Sequence, residues 1–159
     1  MIRPYYPSTD ESEIIRLIRT ELIPLSHIGR QQGVGTYEEL TARLRQGIVY
    51  VASRRRTSSP LGFVHLLRRG DSLFVDMLAV QPHERGKRIG AGLMAAAEAY
   101  GMSIGSALVR LFVDEGNDRA RSFYARLGYR VVRFDPHYRC HEMVKALAAG
   151  SAGYQKNPG

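Results

Sequence analysis

The sequence predicts a single α/β domain of the α+β type: a mixed, mostly antiparallel sheet of about six to seven strands flanked by four helices, in the order β-α-α-β-β-β-α-β-α-β-β. Three observations carry this expectation. At 159 residues the chain is long enough for one core and too short for two ordinary ones. The β-type runs in the middle are separated by turns far shorter than the dozen or so residues that a parallel crossover needs. Helical patterns stand before this block, and others alternate with strands after it.

Taken in order, MIRPYY (1–6) reads as a first strand. In DESEIIRLIRTELIP, Asp10 and Glu13 give an acidic start signal, and Ile14, Leu17, Ile18 and Leu22 recur at helical spacing up to Pro24. SHIGRQQGVG has loop composition. TYEELTARLRQG opens on a Thr36/Glu39 capping box and closes at Gly47, which makes a second helix. IVYVAS (48–53), LGFVHLLR (61–68) and SLFVDMLAV (72–80) are β-type runs separated by RRRTSSP and RGD, hence a meander. A helix over 89–103, the strand ALVRLFV (107–113), a helix over 117–127 and the strands YRVVRF and YRCHEMVKAL complete a domain placed at 1–147. The tail AAGSAGYQKNPG (148–159) is small and polar and is expected to pack lightly.

Composition narrows the function classes. Hydrophobic residues at 44% argue against wholesale disorder, and no run approaches the roughly 18 apolar residues of a spanning helix. The N-terminus lacks the apolar core of a signal peptide, so a cytoplasmic protein without a membrane partner is expected. Cys140 is the single cysteine, which permits no intrachain disulfide and no cysteine metal cluster. The net charge of +8 favours anionic partners: nucleic acid, a phosphorylated cofactor or an acidic surface.

The turn QPHERGKRIGAG leads from a strand into a helix. It therefore presents unpaired main-chain N–H groups with the positive end of the helix dipole behind them, which suits an anion. Gly86 and Gly90 lack a β-carbon and let a phosphate approach the main chain, while Arg85, Lys87 and Arg88 add charge. A solvated basic loop is the plain alternative. Neither the Walker A nor the Rossmann glycine pattern is present.

The stretch resembles motif A of the GNAT superfamily of N-acetyltransferases, Arg/Gln-x-x-Gly-x-Gly/Ala, here Arg85-Gly86-Lys87-Arg88-Ile89-Gly90. Arg88 stands where the pattern has its first glycine, and as an arginine it is expected to hold φ below zero. NDRARSFYARLGY (117–129) resembles motif B, Asn-x-x-Ala-x-x-Phe-Tyr-x-x-x-Gly-Phe/Tyr, at every named position. The element order is also that of the family, and HEMVKAL resembles its last strand.

The resemblance implies acetyl-CoA as co-substrate, no metal, and a primary amine on a small molecule or peptide as acceptor, attacked directly in a ternary complex. It implies that Arg85, Gly86, Lys87, Arg88, Ile89, Gly90 and Ala91 wrap the pyrophosphate. The main chain of Leu78, Ala79 and Val80 would pair with the pantetheine, where a bulged strand 72–80 splays from strand 107–113. The Leu78 N–H would polarise the thioester carbonyl and stabilise the oxyanion. Asn117 and Phe123 would contact the cofactor, and Tyr124 would protonate the leaving thiolate. Homodimers are common in the family.

Each residue also has a plainer reading. Ala120, Phe123, Tyr124 and Leu127 form an ordinary buried stripe by periodicity, and Asn117 caps a helix. Asp76 interrupts an apolar strand, either as an ion pair or as a group that takes up the amine proton or fixes a cationic substrate. Glu142, His65, His137 and His141 are weaker candidates for the same work. Cys140 has no activating partner in sequence, and Arg54, Arg55 and Arg56 read as a solvated turn that an acidic partner or RNA also fits. The rival function is a non-catalytic module, either sensing coenzyme A or associated with RNA. The presence of Tyr124 and Asn117 argues against the first. Basic clusters without interleaved aromatics argue against the second. Acceptor selection is expected from the first two helices, the loop 24–36 and the hairpin near 134–140.

Overall fold

The computed structural model describes residues 1–25 and 35–147. Most of the expected selectivity loop 24–36, and the tail 148–159, lie outside the described residues. The strands β1 (Ile2–Pro4), β2 (Ile48–Ala52), β3 (Gly62–Arg69), β4 (Ser72–Val80), β5 (Leu108–Asp114), β6 (Arg130–Asp135) and β7 (Cys140–Ala146) form one seven-stranded sheet in the order β1-β2-β3-β4-β5-β7-β6. The helices are α1 (Pro7–Leu17), α2 (Tyr37–Leu44), α3 (Ile89–Ser103) and α4 (Asp118–Arg126). The predicted order of elements is the observed one. By packing, the chain falls into two compact units, Met1–Leu67 with Asp76–Ala97, and Arg68–Val75 with the residues from Glu98 onward.

In the first unit, β2 pairs antiparallel with β1 and with β3. Ile14, Ile15, Leu17 and Ile18 join Leu40, Leu44, Val49, Val51, Phe63, Met77 and Ala79 in one apolar cluster. The helix α1 begins three residues ahead of its expected start. Pro7 occupies the first helical position, where its fixed φ and missing N–H are no handicap, and the Asp10 carboxylate reaches back to accept the Tyr6 N–H at 2.8 Å. Asp10 is thus an internal clasp, and it also takes both Arg3 guanidinium branches at 2.7 and 2.9 Å. After Leu17 the helix widens into a π turn, Ile18–Leu22, and then tightens into a 3-10 turn, Ile23–Leu25. The Thr36 cap of α2 forms: its hydroxyl oxygen accepts the Glu39 N–H at 3.1 Å and lies at 3.1 Å from the Glu39 carboxylate. Gly47 follows at φ +80, where an added Cβ would fall 2.0 Å from the Leu66 carbonyl oxygen.

In the second unit β5 lies between β4 and β7, and β6 hangs on the outer side of β7. Leu73, Val75, Val109, Leu111, Val113, Met143 and Leu147 are buried there. The parallel ladder between β4 and β5 covers only Ser72–Phe74 against Leu108–Arg110, although the strands run nine and seven residues. Asn117 caps α4 by accepting the Ala120 N–H at 3.2 Å.

Candidate active site

The first unit carries the loop that follows β4. Gln81 leaves the strand buried, its N–H donating to the Leu61 carbonyl at 2.8 Å. Its amide is clamped by Glu13 and Arg16. A single 3-10 turn, Pro82–Glu84, then delivers the chain to Arg85. Gly86 takes φ +80, and Arg88 takes φ +63. This corrects the expectation that an arginine at 88 would keep φ below zero: Arg88 holds the left-handed conformation that the glycine of the pattern adopts freely. An L-residue there is strained by roughly 1–2 kcal/mol. The reason lies in the next element. The Arg88 carbonyl accepts the Gly92 N–H at 3.0 Å as the first hydrogen bond of α3, so the chain must turn sharply at 88 to enter the helix. The amides of Ile89, Gly90 and Ala91, ahead of that bond, are the orphan donors of a helix start.

Two cations of the loop, Arg85 and Lys87, are engaged by carboxylates. Arg85 donates to Glu21 at 2.8 Å, Lys87 donates to Glu84 at 2.8 Å, and Arg54 reaches the same Glu84 at 3.1 Å. Glu84 is 3% exposed. Glu21 and Glu84 were not signalled by the sequence, because a carboxylate in a helix or a turn carries no mark of a partner tens of residues away.

Along β4 burial alternates, with Met77 and Ala79 buried and Asp76, Leu78 and Val80 half-buried. Asp76 accepts from Arg43 Nε at 2.8 Å and Nη2 at 2.7 Å, and lies 2.8 Å from His65 Nδ1. It is thus ion-paired, to a guanidinium of α2 and an imidazole of β3. Burial alone raises the Asp76 pKa, but hydrogen bonds from His65 and Arg43 outweigh it and hold the carboxyl at about 2. His65 is fully buried, and its Nε2 faces the Gln46 carbonyl oxygen at 2.5 Å. Both neighbours are acceptors, and a neutral imidazole donates from one nitrogen only.

In the second unit, Tyr124 lies on α4 with its ring edge-on to Phe123 at 5.0 Å and to Tyr129 at 5.7 Å. Of the stripe expected to be buried, Tyr124 is; Ala120, Phe123 and Leu127 are half-buried. The Tyr129 hydroxyl donates to Glu98 at 2.9 Å, and Lys145 donates to the other oxygen of Glu98 at 2.9 Å. Among the described residues the Tyr124 hydroxyl has no such partner. Burial pushes its phenol above the usual range, so it stays protonated.

The weaker candidates are spread out. Glu142 is buried against Arg110 and Arg133. His141 Nε2 lies 2.9 Å from Arg121, and its Nδ1 is buried without a partner among the described residues. His137 is exposed and stacks edge-on with Tyr138. Burial pushes the Cys140 thiol up, which works against nucleophilic use. No group of three His, Cys, Asp or Glu side chains suited to a metal occurs among the described residues, and none of their helices is long and apolar enough to cross a membrane.

The sequence model of the acetyltransferase (GNAT) family matches residues 15–129, from α1 through the glycine-arginine loop to the end of motif B. The chain belongs to that family. Solved structures share the fold at low identity. Ard1 from Thermoplasma volcanium superposes with a TM-score of 0.73 at 20% identity, covering 92% of this chain and 97% of that one. An aminoglycoside 6′-N-acetyltransferase complexed with coenzyme A gives a TM-score of 0.73 at 17% identity, over 92% and 96%. The ribosomal-protein-S18-alanine N-acetyltransferase from Escherichia coli gives 0.67 at 15%, over 92% of each chain. No match is found among curated proteins. As a GNAT-family chain this protein is placed in acyl transfer.

Proposed function

We propose that this chain is an acetyl-CoA-dependent N-acetyltransferase that passes the acetyl group to a primary amine by direct attack in a ternary complex. The observation that carries the reading is Arg88 at φ +63, holding the glycine geometry of the phosphate loop ahead of the orphan amides of α3. The donor set fits the cofactor: main-chain N–H groups and a helix start suit a pyrophosphate, and cations surround them.

Acetyl-CoA supplies an activated acyl group as a thioester. In the transfer the amine nitrogen bonds to the acyl carbon, the carbon–sulfur bond breaks, one proton leaves nitrogen for solvent, and sulfur takes one from a protein acid that solvent then reprotonates. Arg85, Gly86, Lys87, Arg88, Ile89, Gly90 and Ala91 hold the pyrophosphate. The main chain of Leu78, Ala79 and Val80 takes the pantetheine, and the Leu78 N–H polarises the carbonyl. The short β4–β5 ladder supports this, since strand edges that stop pairing keep donors and acceptors for a third party. Asn117 and Phe123 contact the cofactor.

Tyr124 gives the proton to sulfur. An ordinary phenol near ~10 and a thiol near ~8.5 make that transfer uphill by about 2 kcal/mol. Burial moves the phenol further up, and it raises a thiolate leaving into the same dry surroundings as well, so the gap need not widen. Asp76 takes the ion-pair role of its two readings. A carboxyl at about 2 is far too weak a base to draw a proton from an amine, and it serves instead to fix Arg43 and His65.

The test is thermal shift with acetyl-CoA, followed by free-thiol release across a panel of amines. Saturation at about 100 times Kd should stabilise the protein by about 2.7 kcal/mol. Absence of any shift at millimolar acetyl-CoA sinks the enzyme reading.

A further inference from the structure

The arginine run of the β2–β3 turn is left unused by the mechanism, yet it is tied to the loop that the mechanism uses. Building on the coenzyme reading above, we propose that Arg54, Arg55 and Arg56 form a second anion subsite, which takes the 3′-phosphate monoester of coenzyme A.

Position is the first argument. The Gln81 N–H donates to the Leu61 carbonyl, so the entry to β3 lies beside the exit of β4, and the turn before β3 opens at the same end of the strands as the phosphate loop. Glu84 then joins the two turns directly. One oxygen takes Arg54 at 3.1 Å and the other takes Lys87 at 2.8 Å. A buried carboxylate shared in this way fixes the arginine turn one side chain away from a pyrophosphate-loop residue.

The second argument is order. The Ser53 hydroxyl donates to the Arg55 carbonyl at 2.6 Å, and the Ser58 N–H donates to the same oxygen at 3.1 Å. Arg3, 5% exposed, donates through Nε to the Ser53 hydroxyl oxygen at 3.0 Å and through Nη2 to the Ser58 carbonyl at 2.9 Å. A buried guanidinium thus pins both ends of an exposed turn. A preorganised turn loses less entropy when it binds.

Charge is the third. Arg85 is neutralised by Glu21, while Glu84 is shared by Arg54 and Lys87. Arg55 and Arg56 are exposed and form no ion pair among the described residues. A phosphate monoester carries about 1.5 to 2 negative charges near pH 7, more than either phosphodiester of a pyrophosphate, and it offers the oxygen pairs that a guanidinium fork grips two at a time. Main-chain amides suit the bridging pyrophosphate. Free arginines suit the terminal group.

The experiment titrates acetyl-CoA and 3′-dephospho-acetyl-CoA into the wild-type chain and into the double variant Arg55→Ala/Arg56→Ala, at low and at physiological ionic strength, by calorimetry. The wild type is expected to bind the phosphorylated ligand at least tenfold more tightly. In the double variant that preference should fall to twofold or less, with dephospho-acetyl-CoA bound as before. Equal binding of both ligands by the wild type overturns the subsite and leaves the coenzyme reading standing. An equal loss for both ligands in the variant also overturns it, because a diffuse basic field would do that. Failure of the wild type to bind either ligand overturns the coenzyme reading and the subsite with it.

Discussion

Asp76 and Tyr124 are both largely withdrawn from solvent, both sit on elements that carry candidate site residues, and their surroundings are opposite. Asp76 receives two bonds from Arg43 and one from His65, and these hold its pKa down at about 2. Tyr124 is buried edge-on to two rings, with no hydrogen bond to its hydroxyl among the described residues, and burial moves its pKa up. A buried polar group that is fully paired is committed to structure. One that is left open loses stabilisation in the free protein and retains capacity for a ligand. The difference favours Tyr124 over Asp76 for the proton transfer of the proposed mechanism.

The strongest way to break this contrast is Tyr124→Phe. General acid catalysis is worth about 10²–10⁴-fold, so kcat should fall by at least about a hundredfold with little change in the KM for acetyl-CoA. The melting temperature should stay close to wild type, because no hydrogen bond is lost. Tyr129→Phe is its control within the same ring cluster. It removes the bond to Glu98 and should cost about 1 kcal/mol of stability while leaving kcat nearly intact. Steady-state kinetics beside urea melts would reveal the reverse pattern, which would exchange the roles of the two tyrosines.

Asp76→Asn sharpens the other half. Removing the anion leaves Arg43 and a buried His65 facing a neutral amide, and the loss should be roughly 2–3 kcal/mol, below the range for a fully buried pair because the Arg43 side chain is 52% exposed. Acid gives a second readout. The folded pKa of about 2 lies below the ordinary aspartate value of 3.8, so the contribution of Asp76 is fully present above pH 4 and fades as pH falls through about 2. Wild type should lose about 2 kcal/mol through that window relative to Asp76→Asn, as read from urea midpoints at each pH. A thiol-release rate that tracks an Asp76 titration near neutrality would instead restore the carboxylate as the proton acceptor.

What the sequence disclosed follows the same division. Periodicity and caps placed α3 at its observed ends and α2 at its observed start, because Thr36 and the apolar spacing act within a turn or two. The loop and motif B were legible because both are local patterns. The partners of Asp76, Arg85 and Lys87 were not. Arg43 and Asp76 stand 33 residues apart, and Glu21 and Arg85 stand 64 apart; nothing in a local window joins them. The start of α1 was misplaced for a related reason, since an acidic residue one turn inside a helix looks like a cap until Arg3 and the Tyr6 amide are seen to use it.

Arg88 is a residue kept in a strained conformation at the turn that the proposed coenzyme site uses. Two substitutions remove the same charge and differ only in strain. Arg88→Gly relieves a left-handed conformation worth roughly 1–2 kcal/mol but adds about 0.4–1 kcal/mol of unfolded-chain entropy. Arg88→Ala retains the strain. The glycine variant should therefore be more stable than the alanine variant by about 0.5–1 kcal/mol in denaturant melts. Acetyl-CoA affinity separates geometry from charge. If the main chain makes the phosphate contact, the glycine variant binds within about threefold of wild type and the alanine variant binds no better. If the guanidinium makes it, both weaken together by about 1–2 kcal/mol, roughly five- to thirtyfold, as the loss of a charge-assisted bond predicts. A glycine variant no more stable than the alanine variant would mean that residue 88 is not left-handed in solution. The strained loop would then lose its standing as the feature that carries the coenzyme site.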